Sequence, residues 1–313
     1  METQRLAFNP HHAVRRGNAS VHGITIHYQD EGYQEDPALI LIMGLGSQLT
    51  LWPQILVDNL VNEGFRVIRF DNRDIGLSSI INNGIQANLP SSMLRAQLRL
   101  PIQSNYTLYD MVSDTAGLMD ALNIPQAHIV GASMGGMIAQ LFAALHPHRT
   151  LSLTSIMSTT NETGLPLPRW DILLNLAGYG VKKGHDKETA VNRSLQFWRK
   201  VSSPKYPTPD AEVRERMEAD YDRSYRPSSY LRQTHAIIAT GGFKRLLSRI
   251  NCPTQIIHGT HDPLVHCKGG KASAKAIRHA KLELIHGMGH DFPKQLIPKL
   301  TELITFNALQ GNK

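Results

Sequence analysis

The sequence predicts an α/β protein, a mostly parallel central sheet flanked by helices and interrupted by a helical insertion. Three observations predict it. Short continuous apolar runs, such as ALILIM at 38–43 and AHIV at 127–130, are what strands buried on both faces require. These runs alternate with helical patterns, the rhythm of parallel strands joined by right-handed crossovers. The rhythm breaks once, from 159 to about 240, where helical spacing continues without a clear strand. The chain therefore divides into a first part of the core at 1–158, a helical insertion at 159–245 and the rest of the core at 246–313.

Taken in order, SVHG and ITIHYQDEG read as a β-hairpin or two adjacent strands, and ALILIM as a central strand. WPQILVDNLVNEG has helical spacing and stops at Gly64, a residue suited to a helix C-terminus. FRVIRFD is the next strand. Residues 79–106 then form an unusually long connection, in which SMLRAQLRL has the spacing of a short helix with Met93, Leu94 and Leu98 on one side. A helix from Thr107 to Ile124 is predicted, opened by a capping box with Asp110 in place of Glu and closed by Pro125. AHIVGAS is a strand, MGGMIAQLFAALHP a helix and LSLTSIMS a strand. After the insertion come FKRLLSRI (helix), PTQIIHG (strand), KGGKASAKAIRHA (helix), KLELIH (strand) and a last helix from about Pro293.

Composition narrows the function classes. The 313 residues, 41% hydrophobic and 19% charged, fit a globular protein. No apolar run reaches the ~18 residues of a membrane span, and the N-terminus has no apolar stretch of secretory type. The net charge of +7 is scattered, without the basic blocks or aromatic interleaving of a nucleic-acid surface. Only Cys252 and Cys267 are present. A strand of ~6 residues between them, at ~3.3 Å each, holds them roughly 20 Å apart, beyond the ~7 Å a disulfide spans. The expected compartment is the reducing cytoplasm. The sequence sets no oligomeric state.

The chemistry centres on Gly131-Ala132-Ser133-Met134-Gly135, a G-x-S-x-G motif. A chain of this composition would contain one by chance in about one case in ten, so context must carry it. The motif ends a predicted strand and opens a predicted helix. There a serine can occupy a strained turn, small neighbours avoid clashes, and the helix N-terminus aims its amides at an oxyanion. Ser133 is the candidate nucleophile. In this motif class the acid and then the histidine follow along the chain. Asp262, after strand PTQIIHG, and His290, in Gly287-Met288-Gly289-His290 after strand KLELIH, both follow C-terminal strand ends, the edge where open α/β sheets place their sites. An oxyanion hole needs two backbone donors. The candidates are the amides of Met134 and of Leu45, within Met43-Gly44-Leu45-Gly46.

Other residues compete for these roles. His258, His261, Asp262 and His266 cluster as metal ligands might, but at no recognised metal-site spacing. His286 is a second histidine near the base position, at the end of a strand where packing is the default role. Glu162 is an alternative acid after LSLTSIMS. Asp71 and Arg73 are expected to hold a loop rather than to react.

With these residues placed, the chain resembles the α/β-hydrolase superfamily over nearly its whole core. The resemblance rests on MGLG at 43–46, FDNRDIGLS at 70–78, GASMGG at 131–136, HGTHDPLV at 258–265 and GMGH at 287–290. The combination is similar to the branch containing aclacinomycin methylesterase. It implies an α/β-hydrolase fold with a helical cap over 159–245, a carboxylic-ester hydrolase with Ser133, Asp262 and His290 as triad, and no metal or organic cofactor. C–C bond hydrolysis, amide cleavage and perhydrolysis use the same triad, and a slow-turnover receptor role stays open as well. Carboxylate-nucleophile relatives such as epoxide hydrolases and dehalogenases are disfavoured by Ser133. The aromatic residues Trp170, Tyr179, Phe197, Trp198, Tyr221, Tyr225 and Tyr230 of the insertion suggest a small-molecule ester with an apolar group, although at least half of them are expected to form the insertion's own core.

Overall fold

A computed structural model describes residues 14–85, 88–98, 100–172 and 186–311. The reading of the extreme N-terminus and the aromatic Tyr179 fall outside these residues.

Eight strands form one sheet in the order β1-β2-β4-β3-β5-β6-β7-β8. β1 (Arg15–Val21) and β2 (Ile24–Glu31) are an antiparallel hairpin. They turn at His22 and Gly23, both at positive φ (48° and 81°), as a tight two-residue hairpin demands. β2 also runs antiparallel to β4 (Arg66–Phe70). β3 (Ala38–Ile42), β4, β5 (Ala127–Ala132), β6 (Thr150–Ile156), β7 (Thr254–Gly259) and β8 (Lys281–Ile285) are mutually parallel.

The apolar runs are continuous because both faces of the centre are covered. Successive side chains of a strand point to opposite faces. Ile40 and Ile42 of β3 accordingly join one core with α3 (Leu108–Ala121) and α4 (Met134–Leu145), through Met111, Leu118, Ile138 and Phe142. Leu39 and Leu41 join the other, with Leu56 and Leu60 of α1 (Gln54–Asn62) and Leu300 and Ile304 of α9 (Ile297–Gly311). α2 (Leu89–Gln97) lies in the long connection after β4. Between β6 and β7 come α5 (Lys187–Val201), α6 (Asp210–Arg223) and α7 (Pro227–Thr240), with no strand among the described residues of that stretch. α8 (Lys268–Ala276) precedes β8. No helix of the described residues is long and apolar enough to cross a membrane.

The expected elements recur with local differences. The capping box is made, the Asp110 carboxylate accepting from Thr107 N at 2.7 Å. The helix it opens stops at Ala121 rather than at Ile124, because Asn123 turns left-handed at φ 54°. FKRLLSRI is a 3₁₀ helix (Lys244–Arg249), not an α-helix, and another 3₁₀ turn (Lys294–Leu296) precedes α9. α2 forms as expected, but Met93, Leu94 and Leu98 are 43%, 57% and 61% exposed. Its buried side is polar: Ser92 Oγ lies 2.8 Å from His235 Nε2 of α7, so the apolar stripe faces outward. Cys252 and Cys267 are free thiols.

Candidate active site

Ser133 sits between β5 and α4 at φ 55° and ψ −120°, a conformation costing a non-glycine residue about 1–3 kcal/mol. Several contacts impose it. Ser133 N donates to Ile156 O at 2.9 Å, and Ser133 O accepts from Gly136 N at 2.9 Å and from Ser158 Oγ at 2.7 Å. The flanking glycines are demanded by close approach. A Cβ on Gly131 would lie 2.1 Å from Gly135 O, and one on Gly135 would lie 2.0 Å from Ile42 O. Strand, turn and helix thus pack too tightly for a side chain at either glycine, and Ser133 between them lines a cavity of about 450 Å³.

His290 lines the same cavity, in the loop after β8. Its backbone N donates to Val201 O at 2.7 Å, and its Nδ1 lies 2.7 Å from Asp262 Oδ2. An ionised carboxylate only accepts, so Nδ1 carries the proton and the lone pair is left on Nε2. Asp262 is buried just after β7. Its Oδ1 accepts from Leu264 N at 2.9 Å and from Val265 N at 2.8 Å. Burial alone would push this carboxyl up, but His290 and His258 beside it hold it down at about 2. His258 Nε2 donates to Val265 O at 2.7 Å and lies 3.5 Å from Asp262 Oδ2, so this histidine braces the acid from behind.

Leu45 and Met134 also line the cavity. Met134 opens α4, where a first-turn amide has no acceptor within its own helix. Leu45 belongs to the loop after β3, which is tied down on both sides. Asn72 Nδ2 donates to Met43 O at 2.9 Å, and Gly46 N donates to Gln233 Oε1 at 2.8 Å. A Cβ on Gly44 would come within 3.0 Å of Ser133 Cβ, so the loop lies directly against the serine.

The rival residues are occupied elsewhere. His261 and His286 meet edge to face at 5.3 Å, and His266 Nδ1 accepts from Lys268 N at 3.1 Å. Glu162 Oε1 accepts from Lys244 N at 2.8 Å, tying the start of the 3₁₀ helix. Among the described residues no group of three or more His, Cys, Asp or Glu side chains could hold a metal ion. Asp71 is fully buried, accepts from Leu49 N and Leu77 N at 2.8 and 2.9 Å, and pairs with Arg223 of α6 at 2.8 Å. Arg73 makes a two-pronged bond to Asp114 of α3 at 2.6 and 2.7 Å.

Sequence reasoning missed three features. The aromatics were expected mostly to form the insertion's own core, yet Phe197, Trp198, Tyr221, Tyr225 and Tyr230 all line the cavity, while Trp170 is 72% exposed. Gln233, fully buried on α7, bridges Gly46 N and Arg73 O. The signal was a polar residue on the stripe Ser229, Gln233, Ala236 that α7 buries. Arg216 of α6 reaches the cavity wall as well.

Residues 37–294 match the family model for the alpha/beta hydrolase fold. The chain is similar to a rhodomycin D methylesterase of Streptomyces sp. (strain C5), 25% identical over 290 residues that cover 86% of this chain and 90% of that protein. It is similar to 2-hydroxy-6-oxononadienedioate/2-hydroxy-6-oxononatrienedioate hydrolase 1 of Pseudomonas putida, 26% identical over 85% of this chain and 86% of that one. In fold it resembles the meta-cleavage product hydrolase of Pseudomonas fluorescens, with a TM-score of 0.73 at 21% identity over 95% of this chain and 98% of that structure.

Proposed function

This chain belongs to the alpha/beta hydrolase family, and within it we propose a serine carboxylic-ester hydrolase with Ser133 as nucleophile, His290 as base and Asp262 as orienting acid. The observation that carries the reading is the 2.7 Å contact of His290 Nδ1 with Asp262, in a cavity that also receives Ser133 from its strained turn. His290 Nε2 takes the Ser133 proton as Oγ attacks the ester carbonyl. The Leu45 and Met134 amides stabilise the tetrahedral oxyanion. The C–O bond breaks and the alcohol leaves with the proton held by His290. Water, deprotonated by His290, then attacks the acyl-enzyme, releasing the acid and restoring Ser133. Asp262 stays ionised throughout, holding the tautomer and balancing the imidazolium. No step requires a metal or organic cofactor.

In this reading residues 159–245 form a cap on a core made of 1–158 and 246–313, and its aromatic wall accepts an apolar part of a small-molecule ester. The two free thiols fit a reducing compartment such as the cytoplasm. Turnover of p-nitrophenyl butyrate by purified protein tests the assignment. Ser133→Ala is expected to lower kcat by about 10³-fold or more, and full retention would overturn it. A peptide anilide and a vinylogous diketone run alongside separate ester hydrolysis from amide and C–C cleavage by the same triad.

A further inference from the structure

Several charged residues in the cavity wall have no part in acyl transfer, among them Arg193, Arg216, Asp220, Arg226 and Asp291. Arg216, on α6, lines the cavity that Ser133 and His290 share. Its guanidinium carbon lies 4.4 Å from the centre of the Trp198 ring, which sets the plane of the group. Its Nη2 is buried without a hydrogen-bond acceptor among the described residues. Burial pushes the guanidinium down from its ordinary value, with Asp220, Asp291 and Glu212 acting against that. Each of those acids has a partner of its own, although Asp291, which also lines the cavity, keeps its Oδ2 without one among the described residues. Asp220 accepts from Thr50 Oγ1, Asp291 Oδ1 accepts from Ser203 N and Oγ, and Glu212 pairs with Lys294 at 2.9 Å.

A guanidinium nitrogen buried without an acceptor is costly, and it calls for a partner. The planar guanidinium fork matches the two oxygens of a carboxylate, and the aromatic surroundings strengthen the attraction. We propose that Arg216 is the specificity residue for a carboxylate on the substrate, so that the preferred substrate is a half-ester, with its ester carbonyl at Ser133 and its free carboxylate at Arg216. The assignment of the ester to Ser133 rests on the reading above; the carboxylate subsite does not.

Two measurements separate these claims. The first compares the mono-p-nitrophenyl ester of adipic acid with neutral p-nitrophenyl hexanoate. The unaltered protein should favour the half-ester in kcat/KM by about 10-fold or more, and Arg216→Gln should lower that selectivity ratio by at least about 10-fold, mainly through KM. Arg216→Lys keeps the charge without the fork and should recover part of the ratio. The second titrates adipate into Ser133→Ala by calorimetry, with and without Arg216→Gln, and needs no turnover. Adipate affinity should fall about 10-fold or more when Arg216 is replaced. Hydrolysis of both esters without preference, or adipate affinity indifferent to Arg216, overturns the subsite and leaves the esterase reading standing. Turnover indifferent to Ser133→Ala overturns the esterase reading, and the adipate titration still decides the subsite. If Arg216→Gln does not fold, Arg216→Lys decides: unchanged selectivity and unchanged adipate affinity refute the proposal.

Discussion

Gln233→Ala tests whether α7 positions the catalytic loop. Gln233 is fully buried and uses both ends of its amide: Oε1 accepts from Gly46 N at 2.8 Å and Nε2 donates to Arg73 O at 3.0 Å. Truncation leaves the buried Arg73 C=O unpaired, at about 1–3 kcal/mol, and the solvent-reachable Gly46 N–H at less, so unfolding free energy should fall by about 1–4 kcal/mol. The effect on rate follows from where Gly46 sits, one residue beyond the proposed oxyanion donor Leu45. Deleting one oxyanion donor typically costs about 10²–10³ in kcat. Here the donor is loosened rather than removed, so a fall of about 10–100-fold in kcat is expected, with a smaller change in KM because the contact strengthens in the transition state. Gln233→Glu keeps an acceptor for Gly46 N but cannot donate to Arg73 O, and should lose less kcat than the alanine variant. Urea unfolding and steady-state hydrolysis of p-nitrophenyl butyrate measure both quantities. A variant destabilised as expected yet with unaltered kcat would refute the positioning argument.

Two further perturbations probe the acid and the turn. Asp262→Asn cannot hold the Nδ1-protonated tautomer of His290 in the same way and should lower kcat by about 10³–10⁴-fold; a loss below tenfold in ester turnover would contradict the role. Because the folded Asp262 sits at about 2, below its ordinary 3.8, it contributes stability that is fully present above the ordinary value and is lost as pH falls from there toward 2. Acid unfolding of Asp262→Asn should therefore be less steep across that window, and an acid limb of activity above about pH 5 should not belong to Asp262. Gly135→Ala places a Cβ 2.0 Å from Ile42 O, a backbone atom that cannot step aside, and should cost about 2–4 kcal/mol by thermal unfolding; a Tm equal to that of the unaltered protein would show the turn to be looser than the structure has it.

What the sequence disclosed about this site follows from how local each signal is. β3, β5 and β7 read as strands because both faces are covered and every residue is buried, which no periodicity can disguise. Ser133 was legible for the same reason: the strand, the glycines and the helix that surround it are its chain neighbours. Asp262 and His290 each follow a recognisable strand, and strand ends of a parallel sheet share one edge, so three distant residues could be placed together without knowing a single contact. Local reasoning failed where the deciding partner is remote. The spacing of α2 was correct, but the face it buries was set by His235 of α7 rather than by its own Met93, Leu94 and Leu98. Gln233 is tied to Gly46, 187 residues away, and nothing beside it in the chain announces that bond.

The same distinction separates chemistry from selectivity in this protein. A nucleophile, its base and its acid must meet at strand ends whatever the substrate, so they leave short and recurrent patterns. The wall that meets the substrate is made by α5, α6 and α7, where an aromatic residue has equal reason to fill its own layer or to face a cavity. Phe197, Trp198, Tyr221, Tyr225 and Tyr230 face the cavity only because those helices stand over the edge of the sheet that carries Ser133. Arg216 follows the same rule more sharply. In the sequence it is one of many scattered basic residues, indistinguishable from a solvated lysine or arginine. In the fold its charge is set against Trp198, in the wall of the cavity that Ser133 also lines. The loops after β3, β4, β6, β7 and β8 supply the rest of that wall, through Leu45, Ile75, Met157, Leu264 and Phe292, so a change of substrate class is expected to combine substitutions on the three helices with changes in those loops.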